Sequence, residues 1–240
     1  MGETLTFIVF LLLCLAVVLF MLILPTRKAI FRWLDKWLLH PQPKFLSRTN
    51  TRAALAYVAD LNVHLTLDDL KARFVEPFIE ALASKGVPSG SDVDCALFRG
   101  DDGEPIGARI DFWAPEVSDE FEAECVRVLE SLGAPKGSQL VAPNLRPQRY
   151  TPFGVNEGMG VYIDTVGLPK DVYEKCSIDV VLKELPDFLS GSGELISHWE
   201  GPKETALYCY GPSYQAMADA IAPLIERYPL LQNCRVVQIA

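Results

Sequence analysis

The sequence predicts an α+β protein in which an N-terminal transmembrane helix precedes two tandem βαββαβ units with antiparallel sheets. Three observations predict this arrangement. An uncharged apolar run lies near the N-terminus, a strand-and-helix order occurs twice, and the two copies are offset by roughly 98 residues. Half of the 240 residues are hydrophobic, which is enough for packed cores.

Residues 5–24 carry no charge and are almost wholly apolar. Twenty helical residues rise about 30 Å, the thickness of the hydrocarbon core of a bilayer. A cleaved signal peptide is the alternative. It is disfavoured because residues 1–4 include no basic side chain and no A-x-A site follows the run. We therefore expect a short N-terminus at 1–4 and a transmembrane helix at 5–24.

Basic residues flank this span only on its C-terminal side, which predicts a cytoplasmic C-terminal domain by the positive-inside rule. Apolar residues at 30, 33, 34, 37 and 38 indicate a juxtamembrane amphipathic helix over 25–40. Pro41 and Pro43 then end it, so 41–54 is predicted to be a linker. The residues expected at the membrane interface are Arg27, Lys28, Arg32, Trp33, Lys36 and Trp37.

The first unit is expected to occupy 55–150. Alternating polarity predicts strands at 61–65, 92–99, 106–113 and 139–142, with a hairpin turn at 100–103. Helical spacing predicts helices at 68–85 and 118–132, each followed by a glycine.

The second unit, expected at 151–240, repeats that order. Strands are predicted at 160–166, 194–200, 205–210 and 235–239. Helices are predicted at 170–189, with Pro186 as an interruption, and at 213–228. The third strands align as 110–115 (IDFWAP) with 207–212 (LYCYGP). The twofold order is that of two ferredoxin-like units, each an antiparallel sheet with two helices on one face.

Alternation along the strands assigns the two faces of each sheet. The side predicted to face the helices carries Leu61, Val63, Leu65, Ile110, Phe112, Val161, Ile163, Leu207 and Cys209. The opposite side is rich in aromatic residues and forms the candidate binding face, with His64, Phe98, Asp111, Trp113, Tyr162, Asp164, Trp199, Tyr208 and Tyr210. These aromatics either pack one unit against the other or line an open groove or partner surface.

Catalytic and metal-binding motifs are weak. Asp111 and Asp164 could form an acid–base pair, and His64 or His198 could act as a general base, but no nucleophile has a motif context. None of the six cysteines forms a CxxC pair. The sequence therefore predicts no catalytic residue, no cofactor and no metal site.

Charge is distributed unevenly along the chain. Seven of the 22 basic residues lie within 25–52, so 53–240 retain 15 basic and 29 acidic residues and a net charge of −14. Such a domain repels nucleic acid and attracts a protein partner with a basic surface. The lipid bilayer is the other expected partner.

Two stretches, 130–140 (ESLGAPKGSQL) and 198–214 (HWEGPKETALYCYGPSY), resemble a bacterial family of duplicated ferredoxin-like domains without an assigned activity. The family is similar to immunity proteins of bacterial toxin systems. The resemblance covers roughly 57–240 and implies a toxin as the partner and the bacterial inner membrane as the location. Residues 206–214 also resemble gyrase-inhibitor-type ligand-binding domains, although the Arg227-Tyr-Pro that ends the following helix departs from that pattern.

Two functional hypotheses remain open. The first is an acidic, membrane-anchored binding protein without catalysis, for example an immunity protein that neutralises a toxin. The second is a sensor that binds a small apolar ligand in a groove between the two sheet units.

Overall fold

The computed structural model describes residues 55–83, 93–114, 118–143, 145 and 147–240. The predicted transmembrane helix, the juxtamembrane helix with its interface residues, and the linker lie outside these ranges. Over the described ranges, none of the helices combines the length and the apolar character needed to cross a membrane.

Within the described ranges, nine strands form two antiparallel sheets. Their bounds are β1 (Leu55–Leu61), β2 (Asp94–Arg99), β3 (Pro105–Ala114), β4 (Ser138–Ala142), β5 (Arg149–Phe153), β6 (Glu157–Asp164), β7 (Glu194–Glu200), β8 (Glu204–Gly211) and β9 (Arg235–Gln238). The strand orders are β2-β3-β1-β4-β5 in the first sheet and β7-β8-β6-β9 in the second. In each sheet the first strand of the unit lies between the third and the fourth. This α+β architecture is consistent with two tandem ferredoxin-like units.

Helices lie on one face of each sheet. The first unit has α1 (Leu67–Leu70), which continues through a π-helical segment (Lys71–Val75) into α2 (Glu76–Leu82), and α3 (Asp119–Ser131). The second unit has α4 (Lys170–Lys175), α5 (Ile178–Leu189) and α6 (Tyr214–Arg227), followed by a 3₁₀ turn (Pro229–Leu231).

Side-chain hydroxyls cap the N-termini of four of these helices. Thr66, Ser118, Ser177 and Ser213 each accept a hydrogen bond from a backbone N–H of the first turn. These bonds satisfy donors that have no partner within the helix, a capping contribution of about 1 kcal/mol each. The cap at Ser177 corrects the prediction of one helix over 170–189. The chain is extended at Ser177, so α4 ends and α5 begins there, whereas Pro186 lies within α5.

The first strand lies upstream of its predicted position. The sequence predicted a strand at 61–65, but β1 ends at Leu61, which pairs with Ala108 of β3. Residues 55–59 are all apolar, and the apolar/polar alternation that starts at Ala59 runs past Leu61 to Leu65, so periodicity alone locates neither end of the strand. His64 therefore lies in the connection between β1 and α1, and Val63 and Leu65 are buried there instead of on a strand.

β5 was not predicted. Its Arg-Tyr-Thr-Pro-Phe sequence contains Pro152, which argues against a central strand but is compatible with an edge strand. β5 pairs with β4 along the edge of the first sheet, and it spans residues 150 and 151, where the sequence placed the boundary between the units.

Among the residues described, two hydrophobic cores lie between the sheets and their helices, and the first core extends to Tyr162, Ala206, Tyr208 and Tyr210 of the second sheet. In the first core, the ring of Phe112 stacks on the ring of Tyr57, with 5.5 Å between the ring centres. The Phe112 ring also lies edge-on to the ring of Phe78, with 5.0 Å between the ring centres. Leu61 and Ile110 belong to the same core. The second core includes four residues predicted to face the helices, namely Val161, Ile163, Leu207 and Cys209. The face assignment from alternation is confirmed at these positions.

Candidate functional site

The nine residues of the candidate binding face do not form one surface. His64, Tyr162, Trp199, Tyr208 and Tyr210 lie where the second sheet meets the first unit. Phe98, Asp111 and Trp113 lie on strands of the first sheet, and Asp164 ends β6. Alternation placed these residues on one face of each sheet, and Tyr162, Tyr208 and Tyr210 of the second sheet pack there on a connection and a turn of the first unit.

The contact between the units is organised around Glu104, which directly precedes β3. Its Oε1 accepts hydrogen bonds from the hydroxyl of Tyr162 at 2.7 Å and from that of Tyr208 at 2.9 Å. Nδ1 of His64 lies 3.5 Å from the same oxygen, without the geometry of a hydrogen bond. One carboxylate oxygen of the first unit thus contacts two strands of the second sheet. We call Glu104, His64, Tyr162, Tyr208 and Tyr210 the inter-unit cluster.

Tyr210 completes the cluster from β8. Its hydroxyl accepts a hydrogen bond of 2.8 Å from the backbone N–H of His64, and the His64 ring lies 5.0 Å from the ring of Tyr208. Two glycines of β6 make room for these rings. A Cβ on Gly158 would lie 2.8 Å from Tyr210, and one on Gly160 would lie 2.7 Å from Tyr162. These glycines therefore permit the dense packing of tyrosines on this face.

The protonation states of the cluster follow from its geometry. Burial by itself raises the pKa of Glu104, but the contact with His64 and the hydrogen bonds from Tyr162 and Tyr208 outweigh it and lower the pKa. Glu104 is therefore ionised at neutral pH. Burial, together with the neighbouring carboxylate, raises the pKa of Tyr162 and of Tyr208, so both remain neutral hydrogen-bond donors.

Further polar contacts surround the cluster. The hydroxyl of Ser197 on β7 donates to Asp69 of α1 at 2.7 Å and accepts from the backbone N–H of Thr66 at 3.4 Å. Nη1 of Arg73 lies 3.1 Å from Oε1 of Glu194 and forms an ion pair with it. The hydroxyls of Tyr162, Tyr208 and Tyr210, which were expected to line a groove, thus each bond to the first unit.

A second polar group lies on the first sheet, on the side opposite its helices. Nε of Arg109 donates to Oδ1 of Asp60 at 3.1 Å, and both residues are buried. The guanidinium of Arg109 also lies 5.3 Å from the ring centre of Phe98. Asp111 follows on the same strand, and its buried Oδ1 has no hydrogen-bond partner within the described part of the chain. Burial raises the pKa of Asp111 to about 6, although the positive charge of Arg109 by itself lowers this pKa.

Asp111→Asn is therefore expected to stabilise the protein above pH 6. The raised pKa means that the folded state binds a proton more tightly than the unfolded state. Stability should fall as the pH rises from 3.8 to about 6 and then stay reduced. Solvent screening at this partly exposed site keeps the gain from the substitution to on the order of 1 kcal/mol at pH 8.

Urea unfolding at pH 4 and at pH 8 measures this effect. Asp101→Asn is the matched control, because Asp101 is an exposed carboxylate of the first unit that does not contribute to the raised pKa of Asp111. An equal gain at both pH values, or an equal gain in the control, would contradict a role for the raised pKa.

The residues considered for acid–base chemistry are separated. Asp111 is on the first sheet, whereas Asp164 is on the second and accepts hydrogen bonds from the backbone of Val166 and Gly167. His64 is buried in the inter-unit cluster, and His198 is exposed on β7. Within the described ranges, no three His, Cys, Asp or Glu side chains are placed to hold a metal ion.

Glu104 is the member of the cluster that the sequence did not reveal. It follows the turn of Gly100 to Gly103, which the sequence did predict and in which Gly103 has a positive φ. A carboxylate next to a hairpin turn is ordinarily exposed. No local pattern indicates that two tyrosines, 58 and 104 residues away, converge on it.

Comparisons with known proteins place the chain in no family. No family model and no curated protein matches it. Among solved structures, the regulatory subunit of aspartate kinase from Thermus flavus is 14% identical over 71% of this chain and 92% of that chain, with a TM-score of 0.24. The first two RRM domains of yeast poly(U)-binding protein are 11% identical over 77% of this chain and 99% of that chain, with a TM-score of 0.22. Similarities at these scores carry no argument about this chain.

Proposed function

We propose that this chain is a single-pass membrane protein whose acidic C-terminal domain binds a protein partner with a basic surface and performs no catalysis. The observation that carries the proposal is the excess of acidic side chains on the helical layers. The described helices hold sixteen acidic and seven basic residues, so nine of the fourteen net negative charges of 53–240 lie on them. Helices expose their charged sides to solvent, where such a field can steer a basic partner.

α3 shows this excess most clearly. Its thirteen residues include five acids and one base, Arg127. Four of the acids have partners: Glu122 is buried and accepts a hydrogen bond from the hydroxyl of Tyr57, Asp119 pairs with Arg149, Glu124 pairs with Arg127, and Glu130 accepts a hydrogen bond from the backbone N–H of Gly154. Glu120 is exposed and has no hydrogen-bond partner among the described residues. The surface of this helix thus retains negative charge after its internal pairs are counted.

The proposed anchor is the apolar segment 5–24, followed by the basic juxtamembrane segment. In a bacterial inner membrane this order keeps the acidic domain at the cytoplasmic surface. An immunity protein that neutralises a toxin is the specific form of the proposal, supported by the resemblance of 130–140 and 198–214.

A small-molecule sensor has less support. The hydroxyls of Tyr162, Tyr208 and Tyr210, which were expected to line its groove, bond to the first unit. A cavity of about 330 Å³ does lie between β4 and β5. Its lining of Leu145, Pro147, Gln148 and Arg149 includes no residue of the candidate binding face.

Association with the partner is expected to slow with added salt. The full chain, tagged and purified from its own host's membranes, identifies the partner by mass spectrometry. Stopped-flow mixing of the purified pair then gives association rates between 20 and 500 mM NaCl. Because electrostatic steering is screened over about 10 Å at 0.1 M salt, we expect a decrease of roughly tenfold or more.

Charge variants make this test specific. Glu76, Glu80 and Glu120 are exposed acids on two helices, and their joint replacement by Gln should slow association at low salt. Lys203→Glu, an exposed change of opposite sign, should accelerate it. A rate that is independent of salt, or a partner with an acidic surface, would refute the proposal.

A further inference from the structure

We propose that Glu104 is an acid-released latch between the two sheet units. The latch consists of one oxygen, Oε1, that accepts hydroxyl hydrogen bonds from β6 and β8 at once. Because the two donors belong to the second unit and the acceptor to a turn of the first, ionised Glu104 contributes to holding the units together. Protonation of this carboxylate converts a charged acceptor into a neutral one and weakens both bonds.

Glu104 is faced by groups from every element that packs against it. Tyr162 and Tyr208 come from the second sheet, and His64 comes from the connection after β1. Arg235 of β9 lies 4.5 Å from the ring centre of Tyr162 and is itself paired with Glu204. Asp101 and Asp102 belong to the same turn as Glu104. The two tyrosines are uncharged donors, so protonation of Glu104 is the change that removes the negative charge from their shared acceptor.

The direction of the pH dependence follows from the lowered pKa of Glu104. A carboxyl group with a lowered pKa in the folded state contributes stability above the ordinary glutamate value of 4.5. That contribution is lost as the pH falls through the lowered pKa. The latch is therefore closed at neutral pH and opens in acid.

Two backbone amides report on the latch directly. The N–H of His64 donates to the hydroxyl of Tyr210, and the N–H of Thr66 donates to the hydroxyl of Ser197, so both bonds cross between the units. The amides of β1 bond within the first sheet instead. Hydrogen exchange at His64 and Thr66 thus measures separation of the units, and exchange in β1 measures unfolding of the first unit.

The experiment follows exchange protection of these amides in the full chain in detergent micelles, from pH 3 to pH 7. In the wild type, protection at His64 and Thr66 should fall by roughly tenfold or more across the titration of Glu104, with β1 still protected. Glu104→Gln should show the reduced protection already at pH 7 and no acid step. Tyr208→Phe, which removes one donor, should move the acid step to higher pH.

Asp101→Asn is the matched control, since Asp101 is an exposed carboxylate on the same turn. It should behave as the wild type. An acid step of wild-type size in Glu104→Gln overturns the latch, and so does a step that is unmoved in Tyr208→Phe. Loss of β1 protection together with that of His64 and Thr66 shows global unfolding and also overturns it.

Discussion

Arg109→Ala is expected to lower the free energy of unfolding by about 3–5 kcal/mol, because it leaves the carboxylate of Asp60 buried without its cation. The two side chains form a 3.1 Å ion pair and are each about 90% buried. The free energy needed to keep an unpaired charge buried is far larger than the net contribution of the ion pair to stability. Urea unfolding at pH 7 measures the change.

The double variant Asp60→Leu with Arg109→Met separates the two effects. Both charges are then gone and the volume is roughly kept, so stability should return to within about 1–2 kcal/mol of the wild type. If the double variant is as unstable as Arg109→Ala, the loss comes from packing, including the contact of Arg109 with Phe98, and the electrostatic explanation is wrong.

Phe112→Ala is expected to cost about 3–5 kcal/mol through the cavity that it leaves in the first core. Phe112 is fully buried and contacts the rings of Tyr57 and Phe78. The surrounding strands β1 and β2 pair with β3 on both sides, which limits collapse around the cavity. Denaturant unfolding should show a lower midpoint with an unchanged slope.

Phe188→Ala is the matched control for the same change of side chain. Phe188 near the end of α5 is partly exposed at the edge of the second core, and the guanidinium of Arg227 lies 5.5 Å from its ring centre. It should cost clearly less than Phe112→Ala, since part of the Phe188 ring is already in solvent and a smaller cavity is left. Equal losses at positions 112 and 188 would contradict the core assignment.

Local pattern predicted much of what the structure shows of the two units. Alternation placed Ile110, Phe112, Leu207 and Cys209 against the helices, because neighbouring side chains of a strand point to opposite faces. It failed at β1, where 55–59 are all apolar and the alternation from Ala59 continues beyond the end of the strand to Leu65. It also failed at β5, where Pro152 obscured an edge strand whose partner is set by the sheet.

The candidate site was predicted in part. Tyr162, Tyr208 and Tyr210 were identified as a tyrosine-rich face from their positions on β6 and β8, which local pattern fixes. His64 was also identified, although on a predicted strand instead of in a connection, whereas Glu104 was not, because it lies in a turn of the other unit. The transmembrane helix and the bacterial location stay predictions from 5–24 and its basic flank.

The sequence by itself determined the α+β class, the twofold order of strands and helices, the helix-facing residues and the acidity of the C-terminal domain. Each of these depends on residues that are neighbours in the chain or on composition. Only the tertiary structure decided that the second sheet packs on the connection after β1 and on the turn before β3, and that one carboxylate joins the units. Such contacts bring together residues more than a hundred positions apart, and local periodicity carries no information about them.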